Sequence, residues 1–421
     1  MRLKAHKIQP QIKRKRMLFF GEDWNNVFEY RANLTSCPVQ TCTFFQQSHN
    51  PENADALIFH QADYDPGKVP ALRRQNQIYI WMTLEAPSIP KVASKLSRKQ
   101  KKQADNLYGY NDFFNWTATY HHNSEVFIPY GRLESLNGET YTHTGDMYQS
   151  YLADLDQTDL PNTWTTHHNR TKMAAWMVSH CGTDSGRELY VKELRQYINV
   201  DIYGKCGKLV CGKNHNDEFC YTDVLAPTYK FYLAFENKVC QDYLTEKVWL
   251  PLKHGLVPVV YGGADYSIFL PPHSYIDATH LTPNQLAKLL ISVASSPREY
   301  TRYHLWRRYW RVSSTLPLCE LCEKLHEEDS TRGRHYTRKH EKDSKRGRQY
   351  TMRKLHKEDG TSERRNLVSW WWKVNNCTTN YPYDHYVRPP EPHPPDNRTF
   401  LQKLKDGTRL LAGLVNAISL S

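Results

Sequence analysis

The sequence predicts an α/β protein with two domains, each built on its own parallel β-sheet. Short runs of apolar and aromatic residues recur along the chain and are typical of buried strands. Segments with apolar residues at helical spacing lie between several of these runs, in the alternating order of parallel α/β domains. The 421 residues, 39% hydrophobic and 13% aromatic, are enough for two globular domains with sizeable cores.

Three apolar runs predict strands of the N-terminal domain, at residues 17–20, 54–60 and 77–84, and two further stretches follow at residues 114–120 and 126–131. The third run brings Glu85 to the end of a buried strand, and Pro87 and Pro90 prevent a helix from starting at once. A carboxylate in that place is expected to be partly desolvated, which suits a general base. A carboxylate that only caps a turn is the alternative, and the residues alone favour it.

Two polar stretches follow the third strand. Residues 91–103 are basic with helical spacing, and we interpret them as a solvated face. Residues 132–168 are rich in Thr, Asp and His and predict an interdomain linker. Its three histidines, at positions 143, 167 and 168, lack the tight spacing of metal ligands and are interpreted as surface residues.

The second domain opens with a buried strand at residues 173–178, which brings Ser179 to its end. A helix is predicted from Arg187 to Ile198, and a strand at residues 199–203. An arginine in the first turn opposes the helix dipole, so Arg187 makes better sense if it faces a phosphate. A solvated arginine is the alternative.

The stretch from Tyr229 to Gly263 predicts one strand–helix–strand unit, with strands at residues 231–235 and 257–261 and a helix at residues 245–254. Ligands bind such units at the carboxyl ends of the strands, where helix N-termini offer N–H groups to phosphates. Five polar residues within twelve positions fall at that edge: Glu236, Asn237, Tyr243, Glu246 and Lys247. The two glutamates could instead only cap the helix, but five such residues favour a binding site.

Residues 281–310 predict a long amphipathic helical region with Trp306 and Trp310 one turn apart. A short tandem duplication follows within residues 324–365, where the segment 333–337 is echoed at 347–351. We interpret it as a solvated, disordered insertion; RNA or anionic-surface binding is the alternative.

The net charge of +12 is confined to two appendages. Residues 1–16 hold seven Lys/Arg and no Asp/Glu, and residues 324–365 hold fourteen Lys/Arg against eight Asp/Glu. The remainder is close to neutral, so we expect no nucleic-acid partner for the folded core.

Ten cysteines and five Asn-x-Ser/Thr sequons, at Asn33, Asn115, Asn169, Asn376 and Asn397, favour an oxidising, glycosylating compartment. Cysteines 206, 211 and 220 do not have zinc spacing, and disulfides are the better interpretation. Cys319 and Cys322 form a Cys-x2-Cys pair, for which zinc or thiol redox chemistry is a fair alternative. No run approaches the 18 apolar residues of a membrane span.

The motifs resemble those of the α1,3-fucosyltransferases of glycosyltransferase family 10, especially the core type that modifies N-glycans. FYLAFEN, DYLTEK and VPVV occur in order within residues 231–260, and Asn115-Trp116-Thr117, Thr119-Tyr120 and Pro129-Tyr130-Gly131 match a further family motif. The resemblance covers roughly residues 17–323. It implies the GT-B architecture, two Rossmann-like domains facing each other across a cleft.

The implied reaction is inverting transfer of L-fucose from GDP-β-L-fucose to the 3-hydroxyl of a GlcNAc, here expected to be the Asn-linked core GlcNAc. A Lewis-type Gal-GlcNAc acceptor and an inactive GDP- or glycan-binding relative are the alternatives. The resemblance assigns Glu85 as the base and Glu236 as the group that stabilises the oxocarbenium-like fucose. Donor binding is assigned to Ser179, Arg187, Lys230, Glu236, Asn237, Tyr243, Glu246 and Lys247.

No metal is expected to be obligatory, because no Asp-x-Asp pair lies at a comparable strand end; a divalent cation could still stimulate. The chain departs from the family motif at His121, where the family has an arginine, and at Asn123 and Glu125. An imidazole that is mostly neutral at pH 7 there puts the efficiency of the enzyme in doubt.

The family also implies that Cys37 and Cys42 bridge to Cys319 and Cys322. It implies a type II Golgi protein whose N-terminal anchor is missing from this sequence, with the basic tail as a stem remnant. The expected divisions are a tail at 1–16, an N-terminal acceptor-side domain at 17–131, a linker at 132–170, a C-terminal donor-binding domain at 171–323, the insertion at 324–365 and a tail at 366–421.

Overall fold

The computed structural model describes residues 14–20, 34–45, 50–61, 74, 76–87, 113–156, 169–212, 218–313, 318–327 and 367–378. The basic stretch at 91–103, most of the insertion at 324–365 and the sequons at Asn33 and Asn397 lie outside these residues. Within them, the expected architecture is confirmed: two parallel sheets, each with its own apolar core.

The N-terminal sheet contains six parallel strands in the order β2-β1-β3-β4-β5-β6. Their bounds are β1 Lys15–Phe20, β2 Cys42–Phe45, β3 Ala56–His60, β4 Ile78–Thr83, β5 Trp116–Thr119 and β6 Val126–Phe127. The three predicted strands are all present, as β1, β3 and β4, and every side chain of β4 is buried. Strand β2 was not predicted, because only its first residue is buried, and β1 begins at the buried Lys15, two positions before its predicted start.

The described part of the expected linker, residues 132–156, contains regular structure. Strand β7, Arg132–Ser135, pairs antiparallel with residues 310–313, and helix α1, Asp146–Asp156, buries Tyr151 and Leu155. The partner of β7 lies more than 170 positions away in the chain, so local patterning could not reveal it.

The C-terminal sheet contains five parallel strands in the order β12-β11-β10-β8-β9. Their bounds are β8 Lys172–Met177, β9 Val200–Tyr203, β10 Tyr229–Phe235, β11 Val257–Tyr261 and β12 Ile276–Asp277. Helices α2 Arg187–Leu194, α3 Glu246–Lys253, α4 Tyr266–Phe269, α5 Pro283–Ser295 and α6 Pro297–Arg302 accompany them. The strand order reverses between β8 and β10, and such a switch point is where open α/β sheets bind ligands.

The predicted long helix at 281–310 was wrong in its second half. Pro297 separates α5 from α6, and residues 305–308 form a 3₁₀ turn. Trp310 begins strand β13, Trp310–Ser313, which pairs with β7, so Trp306 and Trp310 do not share a helix face.

The described end of the chain returns to the N-terminal sheet. Helix α7, Leu367–Asn375, places the Trp371 ring 5.4 Å from the rings of Trp81 and Tyr120.

The bridges Cys37–Cys319 and Cys42–Cys322 confirm the family-implied pairing, and Cys181–Cys206, Cys211–Cys220 and Cys240–Cys377 complete five disulfides that use all ten cysteines. In the part of the chain described, no helix is long and apolar enough to cross a bilayer.

Candidate active site

A cavity of about 530 Å³, here the first cavity, opens at the carboxyl ends of β8 and β10 and is closed on its other side by residues of the N-terminal sheet. It therefore lies at the switch point of the C-terminal sheet, between the two sheets. Its lining is Glu85, Tyr130, Met177, Val178, Ser179, His180, Cys181, Arg187, Tyr221, Tyr232, Asn237, Tyr243, Glu246 and Lys247.

The end of β8 supplies one wall, through Ser179 and the residues after it. Gly204, just after β9, lies so close that a Cβ there would stand 2.6 Å from the Val178 carbonyl oxygen, and its φ of +90° also favours glycine. The Cys181–Cys206 disulfide ties the same wall to the segment that follows β9.

Arg187 opens α2 and points across the sheet edge. Its side chain is 3% exposed, and its guanidinium donates to the carbonyl oxygens of Phe235 at 2.7 Å and His180 at 2.8 Å. These two hydrogen bonds fix the position of the guanidinium group at the ends of β8 and β10. A pre-oriented arginine is suited to a planar anion such as a phosphate.

Lys247 lies at the N-terminus of α3, on the opposite wall. Thr245, predicted as the first residue of the helix, is its N-cap, and its hydroxyl accepts from the backbone N–H of Lys247. The Lys247 ammonium lies 2.8 Å from Thr245 Oγ1, 3.1 Å from a Glu246 oxygen and 3.1 Å from a Glu236 oxygen.

The Lys247 ammonium is strongly held in its charged form. Burial acts to lower its pKa, but the neighbouring Glu236 and Glu246 carboxylates outweigh burial and raise the pKa above its ordinary value. Burial raises the pKa of Glu236 against the opposing effect of Lys247. The site therefore keeps a charged lysine, paired with two carboxylates, at the N-terminus of a helix, and the helix dipole favours an anionic ligand there.

Glu236 is placed differently from the prediction. It is fully buried, it does not line the cavity, and its carboxylate accepts from the Thr245 backbone N–H at 2.9 Å and the Thr245 hydroxyl at 2.8 Å. The structure therefore places the Glu236 carboxylate behind the cavity wall, against Thr245 and Lys247. Glu236 is instead a positioning residue, because it holds Thr245 and Lys247 in place.

Lys230 also lies away from the cavity. It is the second residue of β10, at the amino end of the strand, and its ammonium stands 4.9 Å from the centroid of the Tyr300 ring. The structure therefore does not bring Lys230 to the cavity, since parallel strands bring only their carboxyl ends to this edge.

Glu85 comes from the N-terminal sheet, just after β4. Its backbone N–H donates to Thr83 Oγ1 at 3.1 Å, and the Tyr243 hydroxyl donates to its carboxylate at 3.3 Å. The same hydroxyl lies 3.4 Å from Asn237 Oδ1. The burial expected of Glu85 is not observed, because the residue is exposed at the mouth of the cavity.

Three tyrosines of the cavity were missing from the predicted site. Tyr130 donates to the Leu84 carbonyl next to Glu85, and it belongs to the Pro-Tyr-Gly motif, which could have indicated it. The hydroxyls of Tyr221 and Tyr232 lie 3.3 Å apart, and burial raises the pKa of Tyr232 to about 12. Tyr221 lies in the π-helical segment Cys220–Leu225, and the sequence has no apolar periodicity there that would predict this helix.

His121, the departure from the family motif, lies outside the first cavity. Its side chain is fully buried, with Nε2 donating to the Val374 carbonyl at 2.8 Å and Nδ1 accepting from the Asn123 backbone N–H at 3.1 Å. Burial lowers its pKa. His121, His122 and Asp242 bring their donor atoms within 4.8 Å of one another, but both nitrogens of His121 are used inside the protein, so the set does not fit a metal.

Comparisons with known proteins agree with the motifs. Two family descriptions match: "Fucosyltransferase, N-terminal" over residues 13–131 and "Glycosyltransferase family 10 (fucosyltransferase) C-term" over residues 167–341. The chain is 37% identical over 322 residues to Alpha-(1,3)-fucosyltransferase C of Drosophila melanogaster, covering 73% of this chain and 72% of that one. It is 32% identical over 300 residues to Glycoprotein 3-alpha-L-fucosyltransferase A of the same organism, covering 70% and 53%.

A human relative, 4-galactosyl-N-acetylglucosaminide 3-alpha-L-fucosyltransferase FUT6, is 32% identical over 293 residues, covering 66% of this chain and 70% of that one. Among solved structures, an α1,3-fucosyltransferase with GDP-fucose matches at 14% identity and a TM-score of 0.42, over 77% of this chain and 94% of that chain.

Proposed function

The chain belongs to glycosyltransferase family 10, the fucosyltransferases, and from that premise we propose that its first cavity binds GDP-β-L-fucose and transfers fucose to the 3-hydroxyl of a GlcNAc. One observation carries the assignment of roles. The cavity brings the cations Arg187 and Lys247 from the C-terminal sheet together with the carboxylate of Glu85 from the N-terminal sheet.

Donor binding is assigned to the C-terminal sheet. Arg187 and Lys247 neutralise the diphosphate from opposite walls, and the N-terminus of α3 adds its positive end. As the donor breaks, negative charge grows on the diphosphate, so fixed cations stabilise the transition state more than the ground state. Ser179, Asn237, Tyr243 and Glu246 offer the remaining polar contacts to nucleotide and sugar.

Chemistry is assigned to Glu85. Its carboxylate takes the proton of the acceptor 3-hydroxyl while that oxygen forms a bond to C1 of fucose. The bond from C1 to the diphosphate oxygen breaks on the opposite face, and its electron pair leaves with GDP. Attack opposite to the leaving group converts the β-linked donor into an α-linked product. Bound substrates would cover Glu85, which the protein alone leaves exposed.

We propose that the acceptor is the Asn-linked core GlcNAc, with Gal-GlcNAc as the second candidate. The disulfides after β9, Cys181–Cys206 and Cys211–Cys220, support the core type, because the resemblance places cysteines there in that type. Five disulfides also support an oxidising compartment, and a Golgi membrane location remains part of this proposal.

Transfer of labelled fucose from GDP-fucose to an N-glycan with an exposed core GlcNAc, beside a Gal-GlcNAc acceptor, tests the proposal. Product on the first alone supports the core type, and product on the second alone replaces it with the Lewis type. GDP binding without product on either would mean an inactive relative. The same assay with a chelator, then with Mn²⁺ restored, tests the prediction that no metal is obligatory.

A further inference from the structure

A second cavity, of about 740 Å³, lies beside the first at the carboxyl ends of β10, β11 and β12. The two share a wall, the loop that follows β10. Asn237 and Tyr243 of this loop line the first cavity, whereas Val239, Gln241 and Asp242 line the second. We propose that the second cavity binds the oligosaccharide part of the acceptor, beyond the GlcNAc that receives fucose; this rests on the proposed function.

The lining has the chemistry of a carbohydrate site. The half-buried ring of Tyr275 lies 5.7 Å from the buried ring of Tyr266 and offers an apolar face to a sugar ring, and the exposed carboxylates of Asp265 and Asp277 offer oxygens that accept from sugar hydroxyls. Asp265 and Asp277 each use one oxygen to cap the backbone, at Ser267 and Thr279. Their capping holds the carboxylates at fixed positions on the rim.

Two buried hydroxyls point to a ligand independently of the carboxylates. The Tyr266 hydroxyl and Thr279 Oγ1 are buried and have no hydrogen-bond partner within the described residues, and both side chains line this cavity. Tyr266 is 3% exposed and Thr279 is 7% exposed. A buried hydroxyl without a partner is costly, and a bound sugar would supply the missing bonds.

The charge of the second cavity favours some ligands over others of the same size. The exposed carboxylates of Asp265 and Asp277 line the cavity, whereas the carboxylate of Asp242 is buried and paired with the imidazole of His122. An anionic ligand would meet like charge here, whereas a neutral, hydroxyl-rich one would not. A neutral oligosaccharide is therefore favoured over a sialylated or phosphorylated one.

The location fits the reaction. On one side of the shared loop, the Tyr243 hydroxyl contacts Glu85. On the other side, Asp242 lines the second cavity. An acceptor whose reacting hydroxyl reaches Glu85 can extend over this loop. The second cavity then determines which glycans are good acceptors, while the first determines the donor.

The test uses Tyr266→Phe and Thr279→Val, which remove hydroxyls that bond to nothing in the described protein and so leave folding intact. Asp156→Asn, an exposed change on α1, is the matched control. For each enzyme kcat/KM is measured with GDP-fucose on an oligosaccharide acceptor and on a simple β-glycoside of GlcNAc.

Each of the two variants is expected to lower kcat/KM on the oligosaccharide about 2- to 10-fold, through KM, and to leave the simple glycoside and the KM for GDP-fucose unchanged. An equal effect on both acceptors, or none on either, would overturn the inference.

The double variant Asp265→Asn/Asp277→Asn keeps the oxygens that cap Ser267 and Thr279 and removes the two charges. It is expected to improve the use of a sialylated acceptor relative to its neutral form, and no such gain would overturn the preference for a neutral ligand. Wild type that transfers to no acceptor would instead defeat the proposed function.

Discussion

The two sheets contribute to the first cavity in different ways. The C-terminal sheet supplies side chains already fixed by the protein: Arg187 by two backbone carbonyls, and Lys247 by Thr245, Glu236 and Glu246. The N-terminal sheet supplies Glu85, which is exposed and contacts the other side of the cavity through one tyrosine hydroxyl.

This difference indicates a division of labour. The donor-binding groups are preorganised on one sheet, whereas the catalytic base depends on how closely the other sheet approaches. Contacts that fix this approach include Tyr243 with Glu85, His122 with Asp242, and Gly131 against Trp249. Changes on the C-terminal side should therefore affect binding and turnover together, and changes on the N-terminal side turnover alone.

The largest effect is expected from Glu85→Gln. Loss of a general base typically lowers the rate about 10²- to 10⁴-fold, so kcat should fall by that amount with the KM for GDP-fucose unchanged. Steady-state transfer assays check this. Turnover equal to wild type would remove Glu85 from the mechanism.

A smaller loss in kcat, about 10²- to 10³-fold, is expected from Lys247→Met, because it removes a fixed cation that stabilises the leaving group. GDP affinity should fall as well, which separates this variant from Glu85→Gln. Lys253→Met, at the exposed end of α3, is the control and should match wild type. A Lys247 variant with normal GDP affinity would contradict the donor assignment.

Gly131→Ala tests the approach of the two sheets. A Cβ there would stand 2.6 Å from the Trp249 ring, so the ring or the backbone must shift. Overpacking of this kind costs about 1–3 kcal/mol, and we expect kcat to fall about 10-fold with GDP binding retained. Gly138→Ala would be strained by its own φ, so the better comparison is the larger Gly131→Val, which should lower kcat further than Gly131→Ala does.

The smallest effect concerns pH and stability. Burial lowers the pKa of His121, His254 and His273, so these imidazoles stay neutral in the folded state at pH values where the unfolded chain takes up protons. The free energy of unfolding should therefore fall as pH decreases from about 6.5 towards the lowered pKa values. Denaturant unfolding of His121→Gln should show a shallower pH slope than wild type and the exposed His143→Gln; an unchanged slope would exclude His121 as a contributor.

The parts of the site that were predicted from sequence are local. Residues 229–263 contain a strand, a capped helix and a second strand in succession, so apolar pattern and capping residues sufficed to place Asn237, Glu246 and Lys247 at one edge. Resemblance added the Cys37–Cys319 and Cys42–Cys322 pairs, which no spacing could assign.

The parts that were missed depend on direction, depth or distant pairing. Lys230 is a cation, as a phosphate site needs, but it lies at the amino end of β10. Glu236 follows the carboxyl end of β10, but its side chain is buried. The β7–β13 pair and the second cavity join residues far apart in the chain, which local patterns do not record. The domain boundaries predicted from sequence stay a prediction.

Calorimetric titration of GDP into Glu85→Gln and Lys247→Met, side by side with wild type, tests the division of labour most directly. We predict a wild-type dissociation constant for the Glu85 variant and weakened binding for the Lys247 variant, with transfer lost in both. Equal loss of GDP binding in both variants would contradict the account, because the N-terminal sheet would then share in holding the donor.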